Sequence, residues 1–336
     1  RKYDLIILGT LDSQTLLSGM SSIRLDNFIY TQEAFQSFKE HLKPGGKLIL
    51  YHMSLSKEIS YKLFLLLNKV FGSPPLANFQ SPHRLFNFTF VAGAQERNSP
   101  DFPISFKLLD TFEGEQTEHP MPTDDWPYLY LSQPTIPSHY LWAGGFIAMF
   151  SLVLMAFALG RENIGKPDGA MFFLGAGFLL LETKSVTEMS LLFGSTWQVN
   201  VLVFFSILLL ILAANLLVLN TQKIKSDLFF SILFGLVALS YVTPVQYLLG
   251  MSLIAQWTLG GIRVALPLFF AGILFARIFK TRIHPVKSLG FNLIGSILGG
   301  LLEYSSMAFG TNSLYLVCLP MYLMAYYCFN RESKEL

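Results

Sequence analysis

Two patterns of apolar residues divide the chain. Over residues 1–137 they come in short runs broken by charge, Gly and Pro; from Ser138 onward they come in long runs. About 20 consecutive apolar residues is the length that crosses the hydrocarbon of a bilayer, so the second pattern predicts an all-α transmembrane bundle. The first pattern predicts an α/β domain. YDLIIL, residues 3–8, is a short apolar run of the kind buried on both faces of a parallel sheet, and predicts a central strand. TQEAFQSFKEHLKPGGKLILYH, residues 31–52, puts Phe35, Phe38 and Leu42 on one helical face, stops at Pro44-Gly45-Gly46 and resumes as a strand. A second apolar helix follows over residues 56–71, and FNFTFVAG, residues 86–93, reads as another strand. Strand, helix, strand, helix, strand is the repeat of a doubly wound Rossmann-like sheet. Such a half-sheet leaves one edge and one face uncovered, and the chain opens at Arg1 without Met, close to its first strand. A missing N-terminal half of the same domain is therefore expected ahead of Arg1.

Seven spans can be drawn in residues 138–336, at about 138–160, 169–193, 197–219, 228–249, 253–277, 288–309 and 312–330. The partner they imply is the lipid bilayer. Arg161, Lys166, Lys223, Lys225, Arg277, Lys280, Arg282, Lys287, Arg331 and Lys334 all fall on one side of these spans, while the loops near Ser195, Met251 and Thr311 carry no Lys or Arg. The positive-inside bias puts the C-terminus in the cytoplasm, and seven spans then put residues 1–137 on the opposite, extracytoplasmic face.

Charge adds candidate chemistry inside the membrane. Ionisable residues at that depth are costly and mark either a structural ion pair or a solute pathway. Glu182, Lys184 and Glu188 fall in the second span, Arg263 in the fifth and Glu303 in the sixth. Lys184 and Glu188 are spaced i,i+4 and can pair on one face. The opposite charges on consecutive spans predict a second pair, Arg263 with Glu303. These groups either fix helix packing or line a polar cavity that handles an ion or a small cationic amine. Gly295 and Gly299 form a small-xxx-small face for close helix approach. The formal net charge of +2 is spread among loops, which gives no basis for a nucleic-acid partner.

YDLIILGTLDSQT, FIYTQEAF and LKPGGKLILYH resemble the second half of the spermidine synthase domain, within the wider S-adenosylmethionine methyltransferase fold. TDDWPYLYL at 123–131 and FLLLETKSVTEMSLLFGSTWQVN at 178–200 resemble bacterial fusions of such a domain to a multi-span region of the inner membrane. In aminopropyltransferases the strand equivalent to YDLIIL ends in an acid that deprotonates the attacking amine, followed by a second acid that holds the polyamine, and then a proline. This chain has Gly9, Asp12 and Ser13 there. Glycine cannot accept a proton, so the resemblance implies a degenerate, non-catalytic module on a transporter-like bundle. The alternative is a membrane-anchored transferase whose acid comes from elsewhere. Asp12 either binds a cationic amine or caps its turn. S-adenosylmethionine or its decarboxylated form is implied only under the transferase reading, and the glycine-rich cofactor turn lies outside the chain. Asp124-Asp125 reads as a solvated turn or, alternatively, a ligand rim.

Overall fold

In the computed structural model, strand β1 (Tyr3–Gly9) lies parallel to β2 (Leu42–Ser54), with Leu5 opposite Lys47 and Leu8 opposite Leu50. The residues described are 1–9, 25–54, 57–80, 86–93, 107–108, 119–159, 167–194, 196–221 and 225–335. They separate into two compact units, Arg1–Thr135 and Ile136–Leu336.

In the first unit, helix α1 (Gln32–Glu40) connects β1 to β2. Its amide at Ala34 is capped by the Thr31 hydroxyl, which satisfies one of the donors that a helix start leaves unpaired. Pro44-Gly45-Gly46 does not stop the chain before the strand. It lies within β2, where Gly45 adopts a φ of 76° and the register with β1 shifts. Helix α2 (Lys57–Phe71) follows β2. The hairpin of β3 (Leu76–Gln80) and β4 (Phe86–Ala92) then puts β4 antiparallel between β2 and β3, and β5 (Lys107–Leu108) closes the far side.

The sheet order is β1-β2-β4-β3-β5, which corrects two expectations. Among the described residues β1 is an edge strand, and Tyr3, Leu5 and Ile7 on one of its faces are exposed. β3 was not legible because Asn78 interrupts a five-residue run behind Pro74-Pro75. One face of the sheet forms the core: Leu8, Leu48, Leu50, Phe88 and Phe90 pack with Phe35 of α1 and Leu63, Leu66, Leu67 and Val70 of α2. Both helices cover that same face. Among the described residues the core is single-sided, and the other face is left uncovered as expected of a half-sheet.

The second unit is helical. It comprises α3 (Ser138–Leu159), α4 (Gly169–Phe193), α5 (Trp197–Asn220), α6 (Ser226–Val242), α7 (Leu253–Lys280), α8 (Pro285–Leu302), a short α9 (Ser306–Phe309) and α10 (Ser313–Glu335). Six stretches, in α3, α4, α5, α7, α8 with its extension to Phe309, and α10, are long and apolar enough to cross a membrane. The fourth expected span, 228–249, is shorter than drawn. α6 ends at Val242, one residue short of Thr243-Pro244, and a 3-10 turn over Val245–Leu248 replaces its last part. The residue before a proline is pushed out of helical geometry, which places the break. Its 17 residues rise about 25 Å, and α6 still runs between the two ends of the bundle.

Those ends are chemically distinct. At one, Arg282 Nη2 bonds Asp168 Oδ1 at 2.9 Å and Glu332 Oε2 at 2.6 Å, tying the start of α4, the α7–α8 turn and the end of α10. Lys280 Nζ also bonds the Val218 carbonyl there, at 3.2 Å. At the other end no Lys or Arg occurs in the turns, and Asn312 Nδ2 donates to the Tyr241 carbonyl at 3.2 Å. α3 lies at the rim with Trp142 and Phe157 more than three-quarters exposed, as a lipid-facing helix would be. α4 is its opposite, buried along most of its length.

α4 and α8 approach backbone to backbone. A Cβ built on Gly295 would sit 1.8 Å from the Phe172 carbonyl oxygen, and one on Gly299 would sit 2.5 Å from that of Ala176. The small-xxx-small face is thus a packing face. Asn292 Nδ2 donates to the Met171 carbonyl at 2.9 Å, and Ser296 Oγ to that of Gly175 at 3.3 Å, adding polar contacts along the same seam.

Candidate functional site

Glu188 is the hub of the charged residues in the bundle. Arg263 reaches it from α7 in a fork, Nε to Oε2 at 2.9 Å and Nη2 to Oε1 at 3.2 Å. Two parallel N–H···O bonds of this kind are the strongest pairing available to a carboxylate. The remaining donors of Arg263 turn to α6 and its cap, Nη1 to Thr243 Oγ1 at 2.8 Å and Nη2 to the Ser240 carbonyl at 2.5 Å. Lys184, one turn before Glu188, lies 3.6 Å from its Oε1 and 3.4 Å from Thr311 Oγ1. The Tyr315 ring of α10 sits below both cations, 5.5 Å from Lys184 Nζ and 5.9 Å from Arg263 Cζ. Lys184, Glu188 and Tyr315 are buried. Four helices, α4, α6, α7 and α10, meet in this cluster.

The i,i+4 pair of Lys184 and Glu188 is present, but the pairing of Arg263 with Glu303 is not: the carboxylate that Arg263 engages is Glu188. Charges on consecutive spans suggested Glu303, but α7 packs against α4, which sequence order does not reveal. Glu303 instead accepts a hydrogen bond from Thr183 Oγ1 at 3.3 Å. Glu182 is half-buried midway along α4, with no hydrogen bond or ion pair among the described residues. Sequence reasoning missed Ser240, Thr243, Thr311 and Tyr315, because uncharged groups in apolar runs carry no signal until their neighbours are known.

In the first unit, Asp12 lies outside the described residues. Gly9 closes β1, and a Cβ built on it meets nothing within 4 Å, so the position has room for a side chain. Asp124 is not a solvated turn residue. It is buried, accepts a 2.6 Å hydrogen bond from Thr31 Oγ1, and its amide donates to Glu33 Oε2 at 3.0 Å. The Gln32 amide donates to the Pro122 carbonyl at 2.9 Å. Segment 122–124 is therefore fastened to the start of α1. Further along, buried Lys62 of α2 donates to the carbonyls of Leu129 and Leu131 and pairs with Glu58 at 3.4 Å. Burial holds the Lys62 ammonium below its ordinary range, against the pull of Glu58. Because α1 and α2 each follow a parallel strand, their starts lie at the carboxyl ends of β1 and β2, the edge at which open α/β sheets bind ligands.

Burial, opposed by the Thr31 hydrogen bond and reinforced by Glu33, pushes the Asp124 carboxyl from 3.8 up to about 6. The folded form then holds a proton that the unfolded chain releases, so this group favours folding below about pH 4 and loses that effect as pH rises through 6. A shift of this size corresponds to roughly 3 kcal/mol at pH 7. Asp124→Asn keeps an acceptor for Thr31 and removes the charge. Thermal melts at pH 7.5 should show the variant gaining stability over the parent, with little difference at pH 4.5; an equal difference at both values would contradict the assignment.

Compared with known protein families, with curated proteins and with solved structures, the chain finds no match.

Proposed function

We propose that this chain is a multi-pass protein of the bacterial inner membrane whose bundle binds and moves a small cationic solute. Its N-terminal unit is a spermidine synthase-like module that binds or regulates and does not transfer aminopropyl groups. The observation that carries the reading is the Lys184–Glu188–Arg263 cluster. Three charged groups held among apolar helices are costly, and a bundle that keeps them has use for charge at that depth. Two features support the module reading: Gly9 stands at the position of the family's base, and the parallel β1-α1-β2 unit continues into an antiparallel strand, as some doubly wound sheets do. The outer edge of β1, unpaired among the described residues, and its exposed Leu5 and Ile7 offer a preceding half-domain a surface to dock on.

Purified protein in liposomes should take up labelled putrescine or spermidine above empty vesicles. It should form no spermidine from putrescine and decarboxylated S-adenosylmethionine, since loss of a general base forfeits about 100- to 10,000-fold in rate. Vesicles without uptake, or transfer at ordinary enzyme rates, would overturn the reading.

The orientation is part of the same proposal. The basic end of the bundle faces the cytoplasm, and the chain enters α3 from the opposite face, so the first unit is extracytoplasmic. In a chain with Cys318 and Cys328 replaced by Ala, a cysteine at Ser252 should react with an impermeant thiol reagent in intact cells. One at Ser226 should not. The reverse pattern would return the first unit to the cytoplasm.

A second reading, a membrane-anchored transferase using S-adenosylmethionine or its decarboxylated form, is favoured by one observation. Asp124, with its carboxyl near 6, lies at the ligand-binding edge of the sheet and is poised to take a proton near neutral pH. Transfer activity that Asp124→Asn abolishes would select it.

A further inference from the structure

We propose that Glu182 is a cation-exchange site of the bundle, a carboxyl group that takes up a proton or an organic ammonium ion in turn. The inference rests on the cation-handling reading and names the group that performs it. The Arg263 cluster is unsuited to exchange because Glu188 is occupied by a bidentate guanidinium and by Lys184. Glu182 has neither kind of partner among the described residues, and it is half-buried. It lies 13 residues from the start of α4 and 11 from its end, so about 16–20 Å of helix separates it from either terminus. A bare carboxylate at that depth is expensive, and without a fixed cation the group must take a mobile one.

Its place on α4 adds a route. Met171, Gly175 and Glu182 recur at helical spacing on one face. Met171 and Gly175 are the residues whose carbonyls receive Asn292 and Ser296 of α8, and Glu303 at the end of that helix meets neighbouring Thr183. Asn292, Ser296 and Glu303 thus mark a polar line along the α4–α8 seam, and Glu182 stands beside it, one residue before Thr183. Gly295 and Gly299 bring no side chains into that seam.

Dicyclohexylcarbodiimide tests the site. The carboxyl O–H adds across its C=N bond, proton to nitrogen and oxygen to carbon, and the adduct rearranges to a stable N-acylurea with nothing lost. Only the protonated acid reacts. Protein in lipid vesicles should carry one such adduct, mapped to Glu182 by peptide mass. Its rate should fall about tenfold per pH unit once the acid titrates, and millimolar spermidine should slow it. Glu182→Gln should abolish the adduct without lowering the melting temperature, and Glu182→Asp should restore pH-dependent labelling. No adduct at Glu182, or one indifferent to pH or to spermidine, overturns the proposal. Spermidine-sensitive labelling without amine uptake would overturn transport but leave the exchange site standing.

Discussion

Gly295→Val should leave little folded protein. The Cβ alone would stand 1.8 Å from the Phe172 carbonyl oxygen and 2.7 Å from its carbon, so the obstacle is backbone and cannot rotate away. Relief requires α4 and α8 to separate. Separation also breaks the bonds from Asn292 to Met171 and from Ser296 to Gly175, leaving carbonyls without donors. Overpacking typically costs about 1–3 kcal/mol, and with the added loss of polar contacts the effect belongs to the exceptional class above about 4 kcal/mol. Gly235→Val in α6 is the control, since a Cβ there meets nothing within 4 Å. Melting temperature and the yield of monodisperse protein in detergent check both. Equal behaviour of the two variants would mean that the close approach of α4 and α8 is absent.

What could be read in the sequence was whatever depends on local pattern. Long apolar runs marked the helices of the second unit, because crossing length is a property of one segment. Lys184 and Glu188 were paired correctly because one turn of helix fixes their distance. Gly295 and Gly299 were recognised as a packing face for the same reason. What failed depended on which segments become neighbours. Arg263 was assigned to Glu303 on the strength of adjacency along the chain, and α7 packs against α4 instead. YDLIIL looked central because it is apolar throughout, yet it forms an edge with Leu5 and Ile7 exposed. An apolar run cannot distinguish a strand covered by this unit from one covered by something else. Asp124 looked solvated beside Asp125, since only the fold brings it under Thr31. The fourth span is shorter than its apolar run, because α6 stops before Pro244, which bars helical geometry at the residue ahead of it.

Glu188 as the hub of the membrane cluster is the claim on which the account turns, and a double-mutant cycle with Arg263 tests it most directly. Glu188→Gln leaves a buried guanidinium and Lys184 without their shared carboxylate, and removing one partner of a buried pair costs about 3–5 kcal/mol. Arg263→Gln leaves Lys184, at 3.6 Å, as the cation beside the carboxylate, and also releases the Ser240 carbonyl and the Thr243 hydroxyl. Once Arg263 is gone, losing Glu188 removes much less. The double variant should therefore be more stable than the sum of the single losses by about 2 kcal/mol, read from chemical or thermal denaturation in one detergent. The same cycle between Arg263→Gln and Glu303→Gln should be additive. Additivity of Glu188 with Arg263 to within about 0.5 kcal/mol, together with coupling of Arg263 to Glu303, would contradict the account and put the cluster elsewhere in the bundle.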